Sequence, residues 1–307
     1  MIADLVERAL SGQHRAVAQL ISRVESGSAD LPEIAALLAP HTGRAQVVGL
    51  TGSPGVGKST TTSALVSAFR ASGKKVGVLA IDPSSPFSGG ALLGDRVRMG
   101  DHAIDDGVFI RSMATRGHLG GLAWATPQAL RVLDAAGCDV VLVETVGVGQ
   151  SEIDVVSLAD TTLVLLAPGM GDGVQAAKAG ILEIADIFVV NKADRDGAAQ
   201  TVRDLRYMMS LGQQRDSWKA PVCRTVAARA EGIDEVVAAI GEHRAWLDSS
   251  GVGATRRRRR AEREIEAIGL EKVRTRLDGR RLPELAARVV RGELDPYAAA
   301  DELLEAL

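Results

Sequence analysis

The spacing of apolar residues changes twice along this chain. Over residues 1 to about 43 they recur three and four apart, as Leu5, Val6 and Leu10 and then Val17, Leu20, Ile21 and Val24, which is the pattern of amphipathic helices. Ser26-Gly27-Ser28 interrupts it, and Asp30-Leu31-Pro32-Glu33 restarts it with a capping residue and a proline in the first turn. From about 44 to 249 short β-rich apolar runs alternate with helical stretches, and strands are expected at 46–51, 76–81, 108–112, 139–144, 162–167, 187–191 and 222–226. Runs without polar alternation suit strands buried on both faces, so a mostly parallel sheet between two helical layers is expected. Beyond about 249 charge replaces the apolar runs. Arg256 to Arg260 are consecutive arginines and Ala261-Glu262-Arg263-Glu264-Ile265-Glu266 continues a helix of mixed charge. Leu282-Pro283-Glu284 and Asp295-Pro296-Tyr297 open two further short helices. The expected organisation is a helical prefix over 1–43, an α/β domain over 44–249 and a helical arm over 250–307.

The first strand carries the chemistry. Val47-Val48-Gly49-Leu50-Thr51 runs into Gly52-Ser53-Pro54-Gly55-Val56-Gly57-Lys58-Ser59, which fits G-x-x-x-x-G-K-[ST] at every fixed position, and Thr60 follows. Glycines let backbone N–H groups converge on an anion, and a helix expected from Ser59 to about Ala71 adds its positive end. Lys58 is suited to the β- and γ-phosphates and the Ser59 hydroxyl to a Mg²⁺ bound to the same nucleotide. The fold class is therefore the P-loop NTPase type of three-layer α/β/α domain, with the helical prefix and helical arm added.

Four later stretches qualify the phosphate loop. Asp82 ends the second strand and leads into Pro83-Ser84-Ser85-Pro86-Phe87-Ser88-Gly89-Gly90, a loop at the edge where ligands bind in open α/β sheets. Asp82 is the candidate for holding Mg²⁺ through water, and Asp95 and Arg98, further on, for approaching the γ-phosphate. Glu144 ends a buried strand where Asp is usual, so its longer reach favours a water-mediated role. Gly147 follows as a backbone donor to the γ-phosphate, and Gln150 invites comparison with water-orienting glutamines, but its longer offset than in small signalling GTPases makes a structural hydrogen bond the first reading. Pro168 to Lys178, with Asp172, Gln175 and Lys178, reads as a third mobile loop. Finally Asn191-Lys192-Ala193-Asp194 closes a strand well downstream. An Asp carboxylate accepts from guanine N1–H and the 2-amino group, which adenine cannot offer, and the Lys192 stem can lie over the purine. Small residues near Val226, Ala227 and Ala228 let backbone approach the guanine O6.

Composition narrows the partners. A net charge of −3 and 3% aromatic residues supply neither an electrostatic footprint nor stacking platforms for nucleic acid. Residues 250–307 hold 13 basic and 11 acidic side chains, so the arginine run reads first as an exposed or subunit-crossing helix, with RNA binding as the competing reading. Cys138 and Cys223 lie in or beside apolar strands and read as buried free thiols of a reducing compartment. Neither a signal-peptide pattern nor a membrane-spanning run is present, and a cytoplasmic protein is expected.

Taken together, Gly52–Thr60, Ile81-Asp82-Pro83-Ser84-Ser85-Pro86, Glu144-Thr145-Val146-Gly147-Val148-Gly149-Gln150, Pro168-Gly169-Met170-Gly171-Asp172 and Asn191–Asp194 resemble the MeaB/ArgK family of P-loop GTPases. The resemblance implies a GTP-hydrolysing chaperone, cycling between GTP and GDP with Mg²⁺. Such a chaperone gates adenosylcobalamin loading of methylmalonyl-CoA mutase and protects or reactivates it, usually as a homodimer. It also implies that Asp82, Asp95 and Glu144 belong to the Mg²⁺ and switch elements, and Asp172, Gln175 and Lys178 to a partner-sensing switch. An older label for this family, an arginine/ornithine (LAO/AO) transport-system kinase or ATPase, supplies the alternative. Ser53 stands where related dimeric ATPases carry an extra lysine, so a lysine donated across that type of interface is not available. Five histidines scattered at 14, 41, 102, 118 and 243, without a Cys-x-x-Cys, argue against the metal-inserting relatives.

Overall fold

The computed structural model describes residues 1–82, 102, 104–114, 125–145, 157–169, 181–211, 218–277 and 281–305. These divide into two compact units, Met1–Ala254 and Thr255–Leu307. In the first, helices α1 (Ile2–Leu10), α2 (His14–Glu25) and α3 (Leu31–Leu38) precede β1 (Gln46–Thr51), α4 (Lys58–Ala71) and β2 (Val76–Asp82). They are followed by β3 (Val108–Ala114), α5 (Thr126–Ala135), β4 (Val140–Thr145), β5 (Thr161–Leu166) and β6 (Ile187–Val190). Helix α6 (Ala198–Leu211), β7 (Val222–Arg224) and α7 (Ile233–Ser250) complete it.

All seven strands anticipated from the apolar runs are present, and every pairing is parallel, in the order β3-β2-β4-β1-β5-β6-β7. β1 has the expected bounds, and the ends of the other strands differ from the expectation by no more than two residues. β6 closes at Val190, although Asn191 N still donates to the carbonyl of Leu166 at 2.8 Å while its side chain reaches the carbonyl of Val56. β7 stops at Arg224 because the carbonyl of Thr225 accepts from Ala193 N at 3.0 Å, outside the ladder.

Both faces of the sheet are buried, as its continuous apolar runs require. Successive residues of β4 show how: Val140 and Leu142 join Leu65, Val66 and Phe69 of α4 and Val236 and Ile240 of α7, while Val141 and Val143 face the other layer. That second layer contains α5 and also Leu5, Val17, Leu20 and Ile21 of the N-terminal helices, which share one core cluster with the sheet. The chain entering β1 is tied to α5 by Asp134, whose carboxylate accepts from the backbone N–H groups of Gly43, Arg44 and Ala45, the last at 2.8 Å.

At the amino edge of the sheet lies a buried polar cluster. Gln46 Nε2 donates to Thr161 Oγ1 and to the carbonyl of Ile240, both at 3.3 Å. Thr161 Oγ1 lies 2.9 Å from His243 Nδ1, and His243 Nε2 faces Asp186 Oδ1 at 3.3 Å. It pins α7 beneath the sheet on the edge opposite the phosphate loop.

The second unit is helical: the greater part of α8 (Val252–Leu277), then α9 (Arg281–Val290) and α10 (Pro296–Leu304). Arg288 holds Glu302 at 2.9 and 3.0 Å, and Asp295 caps α10 by accepting from Tyr297 N and Ala298 N. No helix among the described residues is long and apolar enough to cross a membrane.

Cys138 and Cys223 are buried free thiols, and burial pushes them up to about 12 and about 11. Because the thiolate is the reactive form, native protein at pH 8 should take up no iodoacetamide, whereas protein in urea should take up two labels per chain. Mass spectrometry of the labelled protein checks this, and a labelled native chain would mean that a strand opens.

Candidate functional site

β1 lies between β4 and β5, with Leu50 opposite Glu144 and Thr51 opposite Val164. The chain leaves β1 towards β2 on one side, and from β4 it crosses β1 to reach β5 on the other. The loop after β1 therefore sits at the switch point of the sheet, where ligands of open α/β folds bind.

That loop, Gly52 to Gly57, is shaped by two close backbone approaches. Gly52 has φ +142°, and a Cβ there would lie 2.3 Å from the carbonyl oxygen of Leu165; Gly57 has φ +97°, and a Cβ there would lie 2.3 Å from Asn191 Nδ2. Ser53, Pro54 and Gly55 are exposed on the loop, whereas Val56 is fully buried and anchors it. Burial of Leu65, Val66 and Phe69 fixes α4 so that its first residues open onto the loop. The Lys58 ammonium folds back over the loop, donating to the carbonyls of Gly52 at 2.7 Å and Ser53 at 3.1 Å. Thr60 is exposed on the outer side of α4.

Ser59 and Glu144 meet. The Ser59 hydroxyl donates to Glu144 Oε1 at 2.5 Å, and the Thr62 hydroxyl donates to Oε2 at 2.9 Å. Glu144 is buried, so a carboxylate taken out of water is held by two hydroxyls from one face of α4. Thr62 was not anticipated, although its place three residues after Ser59 on a helix was a legible signal. The pair is an oxygen-only, partly buried donor set beside the phosphate loop, which fits a hard divalent cation. Among the described residues no cluster of three His, Cys, Asp or Glu side chains forms a metal site independent of a nucleotide.

Asn191 takes a different part from that of its neighbours. Its Nδ2 donates to the carbonyl of Val56 at 2.8 Å, and its Oδ1 accepts from Ala227 N at 3.0 Å and Thr225 Oγ1 at 3.2 Å. It is a buried staple between the phosphate loop and the turn after β7. Lys192 adopts φ 55° and donates through Nζ to the carbonyl of Gly55 at 2.6 Å, which draws its stem across the loop. Asp194 stands half exposed, with Arg229 Nη1 donating to its Oδ2 at 3.3 Å. In the turn after β7, Val226 N donates to the carbonyl of Glu231 at 3.0 Å and Ala227 N to Asn191, which leaves Ala228 as the candidate donor among the three.

Asp82 ends β2 on the same edge, paired with Ala114, but its side chain lies outside the described residues. Asp95, Arg98, Gly147, Gln150, Asp172, Gln175 and Lys178 also lie outside them.

Comparison with known proteins follows the same lines. The family model described as methylmalonyl-CoA mutase-associated GTPase MeaB matches residues 17–281. A protein of Pyrococcus abyssi provisionally named a GTPase is 50% identical over 99% of this chain and 96% of its own. The GTPase ArgK of Escherichia coli is 38% identical over 81% of this chain and 78% of its own. The methylmalonic aciduria type A homologue of Mus musculus mitochondria is 35% identical over 97% of this chain and 77% of its own. A crystal structure of an LAO/AO transport system kinase superposes with a TM-score of 0.72 at 28% identity, covering 99% of this chain and 96% of that one.

The staple can be tested by stability. Asn191→Ala strands the Ala227 N–H and the Val56 carbonyl, each costing ~1–3 kcal/mol, so urea unfolding should lose ~2–6 kcal/mol. An unchanged unfolding midpoint would show that the amide does not tie the two loops.

Proposed function

This chain belongs to the MeaB family of P-loop GTPases, and on that premise we propose that it binds and hydrolyses GTP with Mg²⁺ as a regulator of an adenosylcobalamin-dependent methylmalonyl-CoA mutase. In this reading it acts in the cytoplasm as a homodimer through its C-terminal arm, gating cofactor loading and protecting or reactivating the mutase. One observation carries the nucleotide part: Asn191 joins the phosphate loop to the segment bearing Asp194, so phosphate and base recognition share one rigid frame.

Each residue has a role in that frame. The amides of Gly52 to Thr60 and the start of α4 receive the phosphates, and Lys58 exchanges its loop carbonyls for β- and γ-phosphate oxygens. Ser59, Glu144 and Asp82 would hold Mg²⁺, whose charge offsets that of the phosphates. Asp194 accepts from guanine N1–H and the 2-amino group, Ala228 donates to O6, and the Lys192 stem covers the ring. Asp95 and Gly147 are proposed to respond to the γ-phosphate. Hydrolysis then rests on positioning and electrostatics with water as nucleophile. A slow intrinsic turnover that the partner raises belongs to this reading.

The likeness to an LAO/AO transport system kinase favours a second reading, a kinase of a transport system. The two separate on the fate of the γ-phosphate, which a kinase delivers to an acceptor and a GTPase releases.

Two outcomes are expected. Asp194→Asn should weaken GTP binding by about 10²-fold or more and admit xanthine nucleotides, because a site built for paired donors rejects their absence strongly; fluorescent-nucleotide titration measures it, and unchanged GTP affinity removes Asp194 from the site. The purified chain alone should release phosphate from GTP well below the ~10 s⁻¹ of stimulated GTPases and should retain a B12-dependent mutase on a column in at least one nucleotide state. Fast turnover without the mutase, or no retention with either GTP or GDP, sinks the chaperone role.

A further inference from the structure

We propose that Arg229 is a specificity-determining positioning residue of the guanine site, holding the Asp194 carboxylate in the plane that reads the base. The proposal rests on the guanine reading given above.

Asp194 needs such a partner. It stands on a turn with its side chain 41% exposed, where a carboxylate rotates freely, yet two parallel hydrogen bonds to a base edge demand a fixed plane. Arg229 Nη1 donates to Asp194 Oδ2 at 3.3 Å. The same guanidinium grips Glu231 through Nε at 2.7 Å and Nη2 at 3.4 Å. Its planar fork therefore lies between two carboxylates, one clamping it and one being held. A carboxylate offers about four lone-pair sites, so Arg229 on one of them leaves room for the donors of guanine. The trio keeps one net negative charge, which favours an edge that donates.

The backbone beneath Arg229 is preorganised. Val226 and Glu231 exchange backbone hydrogen bonds at 3.0 and 3.3 Å, and Arg229 N donates to the carbonyl of Val226 at 2.8 Å. Ala230 takes φ 56° and Gly232 φ 74°, where a Cβ would meet the carbonyl oxygen of Arg224 at 2.1 Å. Lys192 and Ala230 are the two non-glycine residues with positive φ among the described residues, and they flank the Asp194–Arg229 pair in sequence. Unfavourable backbone conformations of this kind persist where the surroundings fix them, commonly at ligand sites. Asn191 completes the frame by holding Ala227, the first residue of the turn that carries Arg229.

The test compares guanine with hypoxanthine, which lacks the 2-amino group. For Arg229→Ala, GDP affinity should fall about fivefold, as expected for an exposed charged contact, while IDP affinity falls less, so the GDP-to-IDP preference narrows. KM for GTP should rise more than kcat falls. Glu231→Gln, which loosens the clamp but leaves Arg229 in place, should move both readouts in the same direction by a smaller factor and guards against misfolding of the first variant. Equal losses for GDP and IDP, an unchanged GDP affinity, or a loss confined to kcat would each overturn the proposal. Asp194→Asn is measured in parallel: if it leaves GDP binding intact, the guanine reading itself fails, whereas if it abolishes GDP binding and Arg229→Ala is silent, only the role of Arg229 fails.

Discussion

A single buried amide, that of Asn191, sets the geometry on which the site depends. Its two ends bond the phosphate loop through the carbonyl of Val56 and the turn after β7 through Ala227 N. Amide donor and acceptor are both needed, which is why neither Asp nor Leu of similar size would serve. The contact also dictates its neighbour: Gly57 is glycine because Asn191 Nδ2 occupies the space a Cβ would take. Without the staple, phosphate loop and base loop would be separate segments on the carboxyl edge, each ordering independently and at its own entropic cost.

The same logic extends to the charged residues around it. Lys58 rests on two loop carbonyls, Glu144 on two hydroxyls and Asp194 on Arg229. Each of these three groups already has protein partners, so none of the three is stranded by desolvation. In the proposed reading phosphate oxygens take Lys58 from its loop carbonyls, whereas Arg229 stays on Asp194 and the donating base edge fills the lone pairs left open.

What was legible in the sequence was local. The seven parallel strands followed from continuous apolar runs, because burial on both faces leaves no polar alternation. The phosphate loop and Asn191 to Asp194 were legible because their residues are contiguous. The partners were not: Asn191 finds Val56 across 135 positions, Glu144 finds Thr62 across 82 and Arg229 finds Asp194 across 35. His243 shows the same limit. As one of five scattered histidines it suggested nothing, yet the fold brings it between Thr161 and Asp186 in a fully buried cluster. Spacing rules report neighbours on one helix or strand, whereas these contacts depend on which strand lies beside which.

Glu144 shows how such long-range placement changes the meaning of a residue. At a strand tip where Asp is usual, its extra methylene suggested reach towards Mg²⁺ through water, and in the structure that same length lets it bridge Ser59 and Thr62. A shorter Asp at the same backbone position would have to draw β4 and α4 together to make both bonds, and the side chains packed between them resist that. The longer side chain is therefore the one that lets a buried carboxylate reach both hydroxyls across a full hydrophobic layer. The core beneath the phosphate loop and the chemistry above it are in this respect a single constraint.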